Sequence, residues 1–216
     1  MNFKYFKLFV LFYLLGCNSN SITKLPYFIS PDFTPQWVDN YPNQDTLHKI
    51  GDFSFINQNN EIINNNFIKD KIVVSNFFFT TCPSICPIMT SNLKRIQEKY
   101  EDKDEVRMIS HSVTPWIDSV KILKNYEKLY NINPKIWQLV TGNKLEIYDL
   151  ARKSYFAEEE LGFRKENKEF LHTELVFLVD HKGHLRGVYN GTIILEIKRL
   201  LEDINLLINE KNRFNF

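Results

Sequence analysis

Cysteine is scarce in this chain: of its 216 residues only Cys17, Cys82 and Cys86 are cysteines. Three is an odd number, so the cysteines of the chain cannot all pair with one another. An excess of one charge is also lacking, because 27 Lys and Arg residues stand against 26 Asp and Glu residues and leave a net charge of +1. No overall field would therefore draw the chain to nucleic acid, and we expect no nucleic acid among its partners.

The apolar run near the N-terminus, residues 8–15, is too short to span a membrane permanently. Two lysines precede it, an order typical of a secretory signal. The run ends in Leu-Leu-Gly-Cys at 14–17, which resembles a bacterial lipobox and implies cleavage before Cys17 and attachment of lipid to that residue. We therefore expect a signal peptide at 1–16 and an extracytoplasmic, membrane-anchored lipoprotein of the bacterial cell envelope. An uncleaved short anchor with an incidental cysteine is the alternative.

Two further segments follow the signal peptide. Residues 17–44 are rich in Ser, Asn and Pro and are predicted to form a lipid-anchored, extended tether with aromatic residues that can dock on the domain. Residues 45–213 are of ordinary size for a single domain.

Hydrophobic patterning in this domain predicts alternating strands and helices. The continuous apolar run 71–79 is typical of a strand that is buried on both faces. Strands are predicted at 53–56, 61–63, 71–79, 106–110, 136–140, 174–179 and 184–189, and helices at 87–100, 117–130, 144–152 and 193–209. Strand–helix alternation that ends in an antiparallel hairpin and a last helix predicts an α/β sandwich, with a mixed central sheet flanked by helices.

Cys82 and Cys86 belong to the stretch Cys-Pro-Ser-Ile-Cys-Pro, between the predicted central strand and the helix after it. Each precedes a proline, which disfavours the helical conformation at both positions, so we expect the pair on a loop over the helix N-terminus. There the helix dipole stabilises a thiolate, which is both the reactive nucleophile and a ligand for soft metals. Outside the cytosol, the disulfide and the dithiol forms must both be considered.

Two thiolates make an incomplete site for most metals, and histidine is the expected third ligand. His111 follows a strand at the carboxyl edge of the sheet, where α/β proteins place their sites. His172 directly precedes the strand 174–179. Position alone leaves both histidines open, with His172 slightly ahead. The other three lie in the tether region or beside a hairpin turn: His48, His181 and His184.

These residues together resemble the Sco/SenC family over roughly 45–210. The resemblance rests on the Cys-Pro-x-x-Cys-Pro stretch after a strand that ends in aromatic residues, and on His172 before a Phe-containing strand. The further matching stretches are 113–119, 137–142 and 180–183.

The resemblance implies a thioredoxin-like fold and a membrane-tethered, extracytoplasmic protein that serves assembly of the binuclear copper centre of cytochrome c oxidase. It also implies that Cys82, Cys86 and His172 are copper ligands. Two thiolates and an imidazole favour Cu(I) and can hold Cu(II). The implied partners are the copper-site subunit of the oxidase or another copper chaperone.

Thr114 marks a departure from the family. Family members commonly have Asp-Pro where this chain has Thr114-Pro115. An acidic residue there would tune the site or assist redox chemistry, so its absence puts those roles in doubt without removing a ligand. His111, three residues earlier, is a candidate substitute, and a polar residue that caps a strand end is the other interpretation of it.

A redox function is the chief alternative to copper delivery. The fold class and the cysteine pair also suit a thiol–disulfide oxidoreductase that keeps the copper-site cysteines of a partner reduced. Against it, the spacing is Cys-x3-Cys rather than Cys-x-x-Cys. If the chain is an enzyme, this is the activity we expect, with Cys82 and Cys86 as its redox pair.

Three other uses of the cysteines fit the sequence less well. A structural disulfide between Cys82 and Cys86 would close a very short loop and stabilise little. A structural zinc site would need a fourth ligand, which only His111 could supply. A peroxidase of the peroxiredoxin kind needs a threonine three residues before its reactive cysteine, and Phe79 occupies that place.

Overall fold

The computed structural model describes residues 24–37, 47–157 and 173–214. Its strands are β1 (Tyr27–Phe28), β2 (Pro35–Gln36), β3 (Ser54–Asn57), β4 (Ile62–Asn64), β5 (Ile72–Phe78), β6 (Val106–Ser112), β7 (Trp137–Thr141), β8 (Leu175–Val179) and β9 (Leu185–Asn190). Its helices are α1 (Asn65–Ile68), α2 (Ile85–Tyr100), α3 (Val120–Tyr130), α4 (Lys144–Ser154) and α5 (Ile194–Phe214). Every strand and helix predicted from residue 53 onwards is present, with ends that differ by a few residues, and the α/β prediction is confirmed.

A seven-stranded mixed sheet holds the order β4-β3-β7-β6-β5-β8-β9. β5 pairs in parallel with β6 and antiparallel with β8, so it lies near the middle of the sheet. All seven residues of β5 are buried, which confirms the strand covered on both faces that the apolar run predicts. The loop that follows β5 therefore lies at the centre of the sheet edge where the parallel strands end.

Helices cover the sheet on both faces, and successive residues of each strand belong to different layers of the core. Val74 and Phe78 of β5 pack with residues of α2, α3 and α5, whereas Val73 and Phe77 pack with residues of α4. Cys82 and Cys86 belong to the first of these two layers. This division decides which side chains can reach the cysteines.

The described part of the predicted tether, residues 24–37, is in contact with the domain. Leu25 and Tyr27 are buried. The guanidinium group of Arg186 in β9 donates a hydrogen bond to the Leu25 carbonyl over 2.7 Å and lies over the ring of Tyr27 at 4.1 Å. Docking through aromatic residues is thus observed for this stretch, while the boundary between 44 and 45 stays a prediction.

The predicted signal peptide 1–16 and the lipid site Cys17 lie outside the described residues. Within the described ranges, no helix combines the length and the apolar content needed to cross a membrane.

Candidate metal centre

The two cysteines lie where β5 passes into α2. β5 ends at Phe78, and the loop that follows contains Cys82, whose N–H donates to the carbonyl of Phe79 over 3.3 Å. α2 begins at Ile85, so Cys86 is already inside its first turn. The prediction that both cysteines lie on the loop is correct for Cys82 and wrong for Cys86. Pro87 is tolerated in the first turn because the first N–H groups of a helix have no acceptor within the helix. The residue before a proline usually avoids the helical conformation, but packing of Cys86 in the core overrides that preference.

The sulfur of Cys82 lies at the N-terminus of α2. The backbone N–H of Cys86 donates to Cys82 Sγ over 3.4 Å. Burial alone would raise the pKa of the Cys82 thiol, but hydrogen bonds from the backbone at Cys86, Ser84 and Ile85 outweigh burial and bring the pKa below its ordinary value. Cys82 is therefore the cysteine that more readily becomes a thiolate.

Cys86 has the opposite character. Burial raises the pKa of its thiol to about 12, and the negative charges of Cys82 and Asp118 act in the same direction. The side chains of Cys82 and Cys86 are both buried, at 6% and 2% relative exposure, and both thiols are free. The pair thus combines one thiol whose pKa is lowered with one whose pKa is raised.

A buried carboxylate lies behind the cysteine loop. Asp118 accepts hydrogen bonds from the hydroxyl groups of Thr80 over 2.5 Å, Ser112 over 2.5 Å and Thr114 over 2.9 Å. The sequence interpretation included Asp118 in a matching stretch and gave it no role. The signal is present in the sequence, because Ser112, Thr114 two residues later and an acid four residues after Thr114 can meet in one turn.

His111 lies on the other face of the sheet from the cysteines. Its ring stacks on Phe77 at 5.1 Å and is edge-on to Phe55 at 5.8 Å, and both phenylalanines belong to the core layer that α4 covers. Neither ring nitrogen has a hydrogen-bond partner in the described part of the chain, and burial lowers the pKa of His111 to about 3.

Neither interpretation of His111 that the sequence suggested is correct. It is not a substitute ligand, because the sheet separates it from Cys82 and Cys86. It does not cap a strand end either, because its ring packs among aromatic rings and neither ring nitrogen binds another described group. A structural zinc site at the cysteines loses its only proposed fourth ligand with it.

His172 lies outside the described residues, but the residues directly after it are described. The Glu174 carbonyl accepts the N–H of Gly191 over 2.7 Å, and Asn92 of α2 donates to the Gly191 carbonyl over 2.9 Å. A Cβ on Gly191 would lie 2.7 Å from Met89 Cγ of α2, so a larger residue there would displace Met89. Glu174 thus lies next to Gly191, a residue that contacts α2, at the edge of the sheet where β5 ends.

The remaining histidines lie elsewhere. His48 Nε2 contacts the Ser154 carbonyl at 2.8 Å, and His184 Nδ1 contacts the His48 carbonyl at 3.0 Å. His181 is in the turn after β8, at the opposite end of the sheet from the cysteines. Across 24–37, 47–157 and 173–214, no three His, Cys, Asp or Glu side chains are arranged to hold a metal ion. The cysteine pair alone is an incomplete site.

Comparison with known proteins gives one consistent family. The family model of SCO1/SenC matches residues 42–209. The SCO1 protein homolog of Bacillus subtilis is 29% identical over 160 residues, which cover 73% of this chain and 81% of that protein.

Two solved structures share both fold and sequence with this chain. A SCO1/SenC family lipoprotein from Bacillus anthracis str. Ames is 26% identical with a TM-score of 0.65, over 74% of this chain and 95% of that one. BsSco, a member of the Sco family of cytochrome c oxidase assembly proteins in which a disulfide switch was identified, is 28% identical with a TM-score of 0.61, over 74% and 93%. The thioredoxin-like fold implied by the resemblance is confirmed, and this chain belongs to the SCO1/SenC family.

Proposed function

We propose that this chain is an extracytoplasmic copper-binding protein that delivers copper to the binuclear copper site of cytochrome c oxidase, or prepares that site. The observation that carries the proposal is the pair of free, buried cysteines at the start of α2, one with a lowered and one with a raised thiol pKa. Family membership supports the choice of partner, because BsSco belongs to a family of cytochrome c oxidase assembly proteins.

The donor set fits copper. Cys82 and Cys86 supply two sulfurs whose positions are linked by the Cys86 N–H bond to Cys82 Sγ. Thiolates suit Cu(I), and an added imidazole extends the site to Cu(II). We assign the third position to His172, which the Sco/SenC resemblance implies. The hydrogen bond of Glu174 to Gly191, which in turn contacts α2, supports this assignment, because only Thr173 separates Glu174 from His172.

Copper on this proposal is the cargo of the chain, and three ligands leave one side of the ion open to an incoming donor from the partner. Copper loading requires Cys86 to lose its thiol proton, which its raised pKa makes less favourable. His172 must be neutral in order to bind. Affinity for copper is therefore expected to rise with pH.

The envelope location of the chain is part of the same proposal. A lipid on Cys17 would tether the domain to a membrane surface, and the contacts of Leu25 and Tyr27 shorten the free part of that tether. Only seven Cα–Cα steps separate Cys17 from Lys24, so they span at most about 25 Å when fully extended. The domain would then work close to the lipid surface.

The different characters of Cys82 and Cys86 also support a second candidate function, a thiol–disulfide oxidoreductase that reduces the copper-site cysteines of the partner. The Cys82 thiolate would attack the partner disulfide and form a mixed disulfide, releasing one partner thiolate. Cys86, after losing its proton, would attack Cys82 Sγ and release the second. The partner disulfide then gains two electrons, and Cys82 and Cys86 lose two as they form a disulfide.

A transfer experiment separates the two functions. The copper-loaded soluble domain is mixed with the copper-free copper-site domain of an oxidase in its dithiol form, and the visible absorption of the binuclear centre is followed. Copper delivery predicts transfer by the wild type and at least a tenfold loss of transfer by His172→Ala.

The same mixture is then prepared with the partner in its disulfide form and the domain reduced and copper-free. Two results together would contradict delivery and favour the oxidoreductase. The wild type would transfer no copper, and His172→Ala would reduce the partner disulfide as well as the wild type does. His48→Ala is the matched control, since His48 lies away from the cysteines against Ser154.

A further inference from the structure

The side chain of Asp118 is fully buried and held from two loops. Three hydroxyl groups donate to it, from Thr80, Ser112 and Thr114, and the Thr80 N–H lies 3.3 Å from Oδ2. An ionised carboxylate has only acceptor sites, and these donors suit it. Among the described residues, no lysine or arginine forms an ion pair with Asp118.

One of these donors belongs to the cysteine loop. Thr80 lies two residues before Cys82, and its side chain and its backbone N–H both point at the same carboxylate. The loop that carries Cys82 is thereby tied to the segment after β6. The buried carboxylate itself is in contact with the loop two residues before Cys82, so its charge lies close to the cysteine pair.

Thr114, where family members commonly have Asp, is in contact with Asp118. Its hydroxyl donates to Asp118 Oδ2 over 2.9 Å. An ionised carboxylate at position 114 could not donate this bond and would repel Asp118. In this chain Asp118 therefore supplies the carboxylate of this region, and Thr114 donates a hydrogen bond to it.

We propose that Asp118 is a positioning residue of the copper site, which fixes the Cys82 loop through Thr80 and places behind that loop a negative charge that favours Cu(II) over Cu(I). The inference rests on the proposed function, because it assumes that copper binds at Cys82 and Cys86.

The charge has an effect that simple support of the loop does not have. Coulomb energy is proportional to the charge of the ion, so removing one negative charge weakens binding of Cu(II) twice as much as binding of Cu(I) on a logarithmic scale. If Asp118→Asn weakens Cu(I) about tenfold, Cu(II) should weaken about a hundredfold. The ratio of the two affinities then shifts about tenfold towards Cu(I), which corresponds to about 59 mV for a one-electron couple.

The experiment measures dissociation constants for Cu(I) and Cu(II) separately, each by competition with a chelator, on the wild type and on Asp118→Asn. Thr114→Val is the matched control, because it removes one hydrogen bond to the carboxylate and keeps the charge. The control should leave the ratio of the two affinities within about twofold of the wild type, whereas Asp118→Asn shifts it about tenfold.

A measurement without metal tests the support of the loop. Thr80→Val removes the hydroxyl link to Asp118 and leaves the charge in place. Amide hydrogen exchange at Cys82 in the copper-free protein should become at least about tenfold faster, with both copper affinities reduced by a similar factor. This variant also carries the test if Asp118→Asn does not fold.

The possible failures are distinct. Absence of tight copper binding by the wild type would refute the proposed function itself. Copper binding by the wild type together with equal losses of Cu(I) and Cu(II) affinity in Asp118→Asn would overturn the role of the charge. Unchanged exchange and unchanged affinities in Thr80→Val would overturn the role in positioning the loop.

Discussion

At the residue scale, neighbouring positions in one strand have unrelated surroundings. Ser110 and Ser112 of β6 face the layer that contains the cysteines, and they bind Asn76 and Asp118. His111 between them faces the opposite layer and stacks on Phe77. The alternation of side chains along a strand therefore separates a residue that supports the site from a histidine that cannot reach it.

His111 makes the stability of the domain depend on pH. Burial holds its pKa at about 3 in the folded chain, against 6.5 in the unfolded chain. The unfolded state therefore binds a proton that the folded state does not bind between these values. The contribution of His111 to stability is greatest above pH 6.5 and falls as the pH drops towards 3, with a slope of about 1.4 kcal/mol per unit midway between the two pKa values.

The substitution His111→Phe should remove this contribution. Relative to the variant, the wild type should lose about 1.7 kcal/mol of unfolding free energy between pH 6.5 and pH 5, measured by urea unfolding of the copper-free protein. The other ionisable groups are common to both proteins, so their contributions cancel in the difference. Identical pH dependence in the two proteins would show that His111 is not held neutral in the folded state.

At the element scale, Arg186 of β9 connects three separate parts of the chain. Its guanidinium pairs with Asp180 after β8 and with Glu210 of α5, each at 3.0 Å, and binds the carbonyl of Leu25 at 2.7 Å. The side chains of Arg186 and Asp180 are 2% and 3% exposed. Removing one partner of a buried pair leaves the other charge without compensation.

We therefore expect Arg186→Ala to lower the unfolding free energy by about 3 kcal/mol. Lys153→Ala serves as the control, because Lys153 and Asp149 form a pair whose side chains are 75% and 60% exposed. The control should change stability by less than about 0.5 kcal/mol. Equal effects of the two substitutions, measured by urea unfolding, would contradict a structural role for the Arg186 network.

Elements with a strong pattern could be predicted from the sequence, and others could not. The apolar run of β5 and the helical spacing of apolar residues in α2, α3 and α5 mark the buried face of each element, so they can be recognised in the sequence. The pair β1–β2 has only two residues in each strand and no pattern of its own. α2 begins two residues earlier than the sequence predicts, because packing of Cys86 overrides the local preference before Pro87.

At the scale of the whole molecule, the cysteines and the N-terminal segment lie at opposite ends of the sheet. Cys82 follows the carboxyl end of β5, whereas Leu25 binds Arg186 near the start of β9, where the hairpin of β8 and β9 turns. On the proposed lipid anchoring, the cysteine end would then face away from the point of attachment. A partner could approach the site without displacing the N-terminal segment.

The site could be predicted from the sequence only in part. Cys82 and Cys86 can be predicted as site residues because they are two of only three cysteines and lie four positions apart. The structure places them next to one another. The position of His111 could not be found, because strand periodicity gives the residues that share a face and does not give the face that α2 covers. His172 stays a prediction that rests on the family resemblance and on the position of Glu174.

The most direct test of the account is a titration of the reduced soluble domain with Cu(I), in competition with a chelator, for the wild type, His172→Ala and His111→Phe. The account predicts one tightly bound Cu(I) per chain, at least about a hundredfold weaker binding in His172→Ala and unchanged binding in His111→Phe. Absence of tight binding, or binding indifferent to His172, would contradict the site formed by Cys82, Cys86 and His172 and would place the dithiol–disulfide function first.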